Sequence, residues 1–173
     1  NPVYSENGIV ATQNELASKI GASILKKGGN AVDAAVAVGY ALAVTLPEAG
    51  NLGGGGFMII WLAKEKKSVV INYREKAPLY ATKDLFLDHV GRVIPDKSLH
   101  TYTATGVPGT VYGLNLALEK YGTMSLQEVM KPAIGLATHG FIVSHALSSS
   151  LERKKELLIL HAASEKIFFR NKR

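Results

Sequence analysis

Gly50-Asn51-Leu52-Gly53-Gly54-Gly55-Gly56 runs directly into Phe57-Met58-Ile59-Ile60-Trp61-Leu62. Four consecutive glycines carry a backbone entropy cost that a simple linker in a packed domain does not need. Either another segment passes very close to this backbone, or the glycines adopt positive φ. A phosphate-cradling loop does not fit, because it requires Gly-Lys-Ser/Thr opening into a helix, and these glycines open into a strand. The apolar run after them, the charged turn Lys64 to Lys67 and Ser68-Val69-Val70-Ile71-Asn72 together predict a β-hairpin. A two-stranded hairpin is marginal alone, so the rest of the sheet is expected from sequence beyond this chain.

Upstream, Thr12-Gln13-Asn14-Glu15 has the spacing of a capping box. Leu16, Ala17, Ile20, Ile24 and Leu25 form one apolar stripe behind it, and Gly28-Gly29 stops the helix. Asn30 is the expected cap of a second helix reaching about Leu46, where Pro47 forbids continuation. That helix is apolar nearly all round, with Asp33, Tyr40 and Thr45 its only polar side chains, and predicts burial on most sides.

Downstream, Tyr73-Arg74-Glu75-Lys76-Ala77-Pro78 reads as a loop and the remainder as helical. Gly106-Val107-Pro108-Gly109 turns into a helix with Val111, Leu114 and Leu118 on one face, ending near Gly122. Ser125-Leu126-Gln127-Glu128 is a second capping box, opening a helix bent at Pro132 and stopped at Gly140. A last amphipathic helix covers Ser144 to Leu160, and Ile167-Phe168-Phe169 reads like a strand entering a fold, as if the chain were cut mid-domain. The chain begins at Asn1 rather than Met and shows no targeting peptide. This order of elements is that of an α+β protein with helices covering one face of an antiparallel sheet.

Composition narrows the chemistry. With 173 residues and 47% hydrophobic content the chain can bury one core, and no apolar run is long enough to span a bilayer. Zero cysteines exclude disulfides, thiolate metal sites and cysteine nucleophiles. The net charge of +6 is concentrated in residues 152–173, with seven basic side chains against three acidic, a pattern read as a solvated helix face rather than a nucleic-acid site. His89, His100, His139, His145 and His161 lack the spacing of a zinc helix, so no metal or cofactor is expected, and each reads as a surface or cap histidine. Ser148, Ser149 and Ser150 lack a nucleophile elbow. Arg74 stands out: it follows a strand end on a loop, where its guanidinium fork either meets a carboxylate ligand or pairs with Glu75 or Asp84.

Five segments, in order and spacing, resemble the N-terminal part of the gamma-glutamyltransferases (gamma-glutamyltranspeptidases). They are Gly29-Asn30-Ala31-Val32-Asp33-Ala34-Ala35-Val36-Ala37, Gly50 to Phe57, Arg74-Glu75-Lys76-Ala77-Pro78, Gly106-Val107-Pro108-Gly109 and Pro132-Ala133-Ile134. The resemblance runs from about Gly8 to Phe141 and continues more weakly to the end. It implies an N-terminal nucleophile hydrolase with an αββα sandwich, of which residues 1–173 are one partial, helix-rich domain of the large subunit. It implies a self-cleaving precursor in which a Thr freed at the start of a small catalytic subunit attacks the gamma-glutamyl amide of glutathione or a related compound. A threonine activated by its own α-amino group needs no histidine or cysteine. The acyl-enzyme then passes the glutamyl group to water, an amino acid or a peptide.

In the family, the arginine of the Arg-Glu-x-Ala-Pro motif binds the α-carboxylate of the glutamyl group, and Arg74 occupies that place. The sequence departs from the pattern at Asn72, where Asp is usual. None of Thr12, Thr45, Thr82, Thr101, Thr103, Thr105, Thr110, Thr123 and Thr138 matches the nucleophile, so no catalytic residue is expected in this chain. The resemblance also implies a periplasmic or secreted protein. Two alternatives stand beside this reading: a relative acting on another gamma-linked amide, such as poly-gamma-glutamate or an acylated antibiotic, and an inactive basic piece whose C-terminal helix binds acidic partners.

Overall fold

The computed structural model describes residues 4–50 and 52–169. Asn51, within the glycine-rich segment, and Arg170, Lys172 and Arg173, within the basic tail, lie outside the described residues. Helix α1 spans Glu15–Lys26 and α2 Ala31–Thr45; strands β1 (Phe57–Leu62) and β2 (Lys67–Asn72) follow, then the single turn α3 (Lys97–His100). Helices α4 (Thr110–Tyr121), α5 (Leu126–His139), α6 (His145–Leu158) and α7 (Ala162–Phe168) complete the order.

The hairpin forms as expected, antiparallel, with Phe57 opposite Asn72 and Leu62 opposite Lys67. Its inner face, through Ile60 and Ile71, joins the core made by the helices. The outer face carries Phe57, Ile59, Trp61 and Val70, which are 55, 74, 62 and 64% exposed. It is apolar and uncovered by any described residue, unlike the polar outer face of an ordinary two-layer sheet.

Helix α2 is the centre of the molecule, packed between α1 on one side and α5 and α4 on the other. Its small residues permit that: Ala34, Val36, Ala37 and Ala41 are buried. Asn30 caps it as expected, its Oδ1 accepting from the N–H groups of Val32 (2.8 Å) and Asp33 (3.0 Å). The Asp33 carboxylate completes a capping box by accepting from the Asn30 N–H at 2.7 Å.

Asp33 does more than cap. It is fully buried, and Oδ1 accepts from the backbone N–H of Thr123 (2.8 Å) and of Met124 (3.1 Å), while Oδ2 accepts from the Thr123 hydroxyl at 2.6 Å. The Asn30 side-chain amide donates to the Tyr121 carbonyl at 2.7 Å. The start of α2 is thereby fastened to the turn between α4 and α5, some ninety residues later. A β-carbon at Gly122 would meet the same carboxylate oxygen at 2.7 Å.

Four expectations need correcting. The cap of α1 is Asn14, not Thr12: Asn14 is extended and accepts from the Ala17 N–H, while Thr12 donates to the Asn14 carbonyl. Glu15 is free to pair with Lys19 at 2.6 Å. On α4 the buried face is Gly113, Leu114, Ala117 and Leu118, and Val111 is 42% exposed, because at about 100° per residue the face turned to the core is centred between Leu114 and Ala117 and leaves Val111 at its edge. The stretch between Ala77 and Gly109 is not helical beyond α3 and a 3-10 turn at Tyr102–Ala104; its Lys76–Val107 and Leu87–Val93 bridges give it extended character instead. Finally, Ile167 and Phe168 end a helix rather than start a strand, with the Phe169 N–H donating to the Glu165 carbonyl. No strand edge lies beside them among the described residues, and an isolated extended run has no ladder to join.

Burial pushes the Asp33 carboxyl upward, but the hydrogen bonds from Thr123, Asn30 and Met124 outweigh it and hold it below the ordinary 3.8. A depressed folded-state value stabilises the fold above the unfolded carboxyl's range, and that stabilisation is lost as pH falls through the folded value. Asp33→Ala, which strands four donors, is expected to cost about 2–4 kcal/mol in urea unfolding at neutral pH. The stability difference between wild type and Asp33→Asn should shrink as pH is lowered from 5 toward 2; a difference flat with pH would contradict the role given to the carboxylate.

Candidate functional site

Arg74 lies two residues past the end of β2, where the alternation of the strand continues for one step: Ile71 is buried, Asn72 faces out, Tyr73 turns in and Arg74 faces out. Its backbone is held from both sides. The Tyr73 N–H donates to the Gly56 carbonyl at 3.0 Å, and Lys76 and Val107 exchange a pair of bonds at 3.2 and 2.8 Å. The Gly109 and Thr110 N–H groups both donate to the Gly54 carbonyl, at 2.8 and 3.1 Å. Three segments, Gly54–Gly56, Tyr73–Lys76 and Gly106–Thr110, are thus stitched into one unit, although only the first two adjoin the regular hairpin.

The glycines are required by contact. None of Gly53, Gly55 and Gly56 has positive φ; the positive-φ glycines are Gly8, Gly28, Gly91 and Gly140. Of the two explanations open to the sequence, close approach is therefore the one realised. A β-carbon at position 55 would collide with the Glu75 N–H and approach its carboxylate, and one at position 56 would stand 2.9 Å from the Tyr73 ring. From the other side, a β-carbon at 109 would overlap the Tyr73 carbonyl, and one at 113 the root of the Tyr73 ring. Tyr73 thus sits in a seat whose walls have no side chains, and burial raises its hydroxyl above the usual tyrosine range.

What the seat presents is the Arg74 side chain, 64% exposed. Its Nε lies 3.8 Å from a Glu75 carboxylate oxygen, and this is its only ion pair among the described residues. Asp84, the other partner open to the sequence, is not paired with it. One long contact to Nε leaves the two terminal nitrogens of this exposed fork without a partner among the described residues, and an unpaired fork can take a carboxylate through two parallel bonds. Two cavities are lined by other residues: a groove of about 440 Å³ beside Asn115, Thr123 and Met124, and a pocket of about 160 Å³ between Pro47 and α6.

Two participants were missed by sequence reasoning. Tyr73 carried no motif, though glycines at 109 and 113, four apart at the start of a helix, share one face and mark a close neighbour. Asp33 was read only as a polar atom on an apolar helix, though Asp three residues after Asn30 has the capping-box spacing. The histidines lie apart, and among the described residues they form no group of three potential metal ligands. His139 has a cap role, its Nδ1 lying 2.9 Å from the Gly135 carbonyl. The charged face of α6 is exposed at Arg153 and Lys154.

The seat makes a discriminating prediction. Gly109→Ala forces a β-carbon onto a backbone carbonyl that cannot rotate away, and is expected to destabilise by about 2 kcal/mol or more. Gly53→Ala, with open space around it, should stay within about 0.5 kcal/mol. Thermal unfolding of the two variants checks this; equal effects would mean that the glycine run is not a packing device.

Comparison with known proteins agrees with this geometry. The family model described as gamma-glutamyltranspeptidase matches residues 17–173. The glutathione hydrolase proenzyme of Escherichia coli is 53% identical over 171 residues, which cover 98% of this chain and 29% of that protein. The acylase ACY 1 proenzyme of a Pseudomonas species is 40% identical over 156 residues, covering 87% of this chain and 28% of that one. Among solved structures, the gamma-glutamyltranspeptidase of Helicobacter pylori superposes with a TM-score of 0.95 at 46% identity, over 99% of this chain and 49% of that chain. The chain thus spans less than a third of the curated relatives and about half of the solved one. It belongs to the gamma-glutamyltranspeptidase family, and its helices and hairpin are one part of that family's N-terminal nucleophile hydrolase fold.

Proposed function

We propose that residues 1–173 are the N-terminal part of the large subunit of a gamma-glutamyltransferase that acts on glutathione or a related gamma-glutamyl compound. The small catalytic subunit supplies the nucleophile, an N-terminal Thr activated by its own amino group. The threonine oxygen attacks the gamma-carbonyl, the amine leaves, and water, an amino acid or a peptide takes the glutamyl group from the acyl-enzyme. Remaining strands of the sandwich cover the apolar outer face of the hairpin. A periplasmic or secreted location belongs to the same reading; no described helix is long and apolar enough to cross a membrane.

In this reading Arg74 binds the donor's α-carboxylate, and no residue of this chain is the nucleophile. The observation that carries it is the Arg74 fork, held by a fixed backbone and open at both terminal nitrogens. A gamma-glutamyl donor offers an α-carboxylate several bonds from the scissile amide, so a fixed cation there sets the distance at which the gamma-carbonyl is presented. The higher identity to the glutathione hydrolase (53%) than to the acylase (40%) favours this donor class over an acylated antibiotic.

In the complete processed enzyme, Arg74→Ala is expected to raise the donor KM by about 100-fold, since it leaves a desolvated carboxylate unpaired. Arg74→Lys should recover part of the loss, because a point charge replaces the fork. Steady-state kinetics with a chromogenic gamma-glutamyl anilide reads both; an unchanged KM in Arg74→Ala would sink the assignment.

A further inference from the structure

Between Tyr73 and Lys76 the chain is fastened mostly by neighbouring backbone: the Tyr73 N–H goes to Gly56 and the Lys76 N–H to Val107. The Arg74 N–H is different. It donates to a side chain, the Asn72 Oδ1, at 3.1 Å, closing a turn in which Asn72 reaches forward over two residues. Asn72 is the last residue of β2, paired with Phe57, so its own backbone is fixed by the ladder. Its side chain is exposed and makes no other hydrogen bond among the described residues. We propose that Asn72 is a positioning residue for Arg74: by holding the Arg74 amide it fixes the direction in which the guanidinium leaves the backbone. The proposal rests on the reading of Arg74 as the α-carboxylate site.

The physical argument is one of degrees of freedom. With Tyr73 seated among glycines and Lys76 bridged to Val107, the torsions on either side of the Arg74 Cα are the remaining freedom of the segment. The bond to Asn72 restrains the N-terminal one. Glu75 restrains the side chain only through a contact of 3.8 Å to Nε, too long to fix the fork by itself. A guanidinium gains its bidentate advantage only when its plane is already aligned with the incoming carboxylate. Loss of the Asn72 acceptor therefore weakens ground-state binding of a carboxylate-bearing donor and leaves the chemical step alone. Asp at this position keeps an acceptor at the same reach and preserves the turn.

The test uses the complete processed enzyme with three anilide donors: the gamma-glutamyl, the glutaryl, which keeps the carboxylate and lacks the α-amino group, and the 4-aminobutyryl, which keeps the amine and lacks the carboxylate. Asn72→Ala is expected to raise KM for the gamma-glutamyl donor by about five- to tenfold with kcat little changed. The 4-aminobutyryl donor, which has no carboxylate, should be unaffected while the glutaryl donor weakens with the gamma-glutamyl one; Asn72→Asp should restore KM to within about twofold of wild type, and Asn72→Ala should add nothing in an Arg74→Ala background. Should Asn72→Ala fail to accumulate, Asn72→Gln carries the same prediction, since it keeps the amide but displaces its oxygen by one methylene. If Asn72→Ala leaves KM unchanged, or weakens all donors equally, while Arg74→Ala discriminates between them, the role of Asn72 is overturned and that of Arg74 stands. If Arg74→Ala itself does not discriminate between the donors, the reading of Arg74 fails and the role of Asn72 falls with it.

Discussion

Everything at the site depends on Tyr73 lying where side chains of other residues would be. Its carbonyl and ring occupy the space of the missing β-carbons at positions 109 and 113, and its ring borders the one missing at position 56. Interiors are packed too tightly for such overlaps to be absorbed by small shifts. The absence of side chains is therefore what brings the strand end, the glycine-rich loop and the start of α4 to one point. Arg74 inherits a fixed backbone position from this arrangement without being buried by it, so the guanidinium keeps its hydration.

A seat is only as firm as its walls, and the wall formed by α4 is secured at its far end. There the buried Asp33 accepts from the Asn30, Thr123 and Met124 N–H groups and from the Thr123 hydroxyl. A carboxylate taken out of water is costly unless such donors surround it. Here four donors do, and they come from both ends of a contact between α2 and the α4–α5 turn. The same residues cap α2 and set the position of α4, so one polar cluster serves helix initiation and tertiary packing together. Asn14 adds a smaller tie, its side-chain amide donating to the Thr45 carbonyl at 3.4 Å and joining the start of α1 to the end of α2.

The sequence made the hairpin, α2 and α5 legible because each carries local signals that do not depend on distant partners: an apolar run and a second strand-like run joined by a charged turn, an Asn cap before a long apolar run, a Ser-to-Glu box. Arg74 was legible as a candidate for the same reason, a charged residue just past a strand. The cap of α1 was misplaced by two residues because Thr12 and Asn14 are both good caps, and the choice between them falls to the contact of Asn14 with Thr45. The reach of Asp33 to Thr123 and the packing of Tyr73 on Gly113 were not legible, since both are long-range contacts whose partners are fixed only by the fold. The end of α7 was misread because an apolar triplet carries no periodicity long enough to separate strand from helix.

The organisation of the site is that of a cation held by its backbone and left open at its fork. Glu75 sits beside it without closing it, and the apolar face of the hairpin leaves room for a further layer over the same sheet. Such a design gives orientation at low cost in stability, because the residues that fix Arg74 are backbone groups and glycines rather than competing charges. The most direct test of this account is a crystal structure of the complete processed enzyme with L-glutamate bound. The account predicts the α-carboxylate on the Arg74 fork through both terminal nitrogens, with Tyr73 and the two glycine-bearing segments unmoved. A glutamate held elsewhere, with Arg74 directed into solvent, would contradict it.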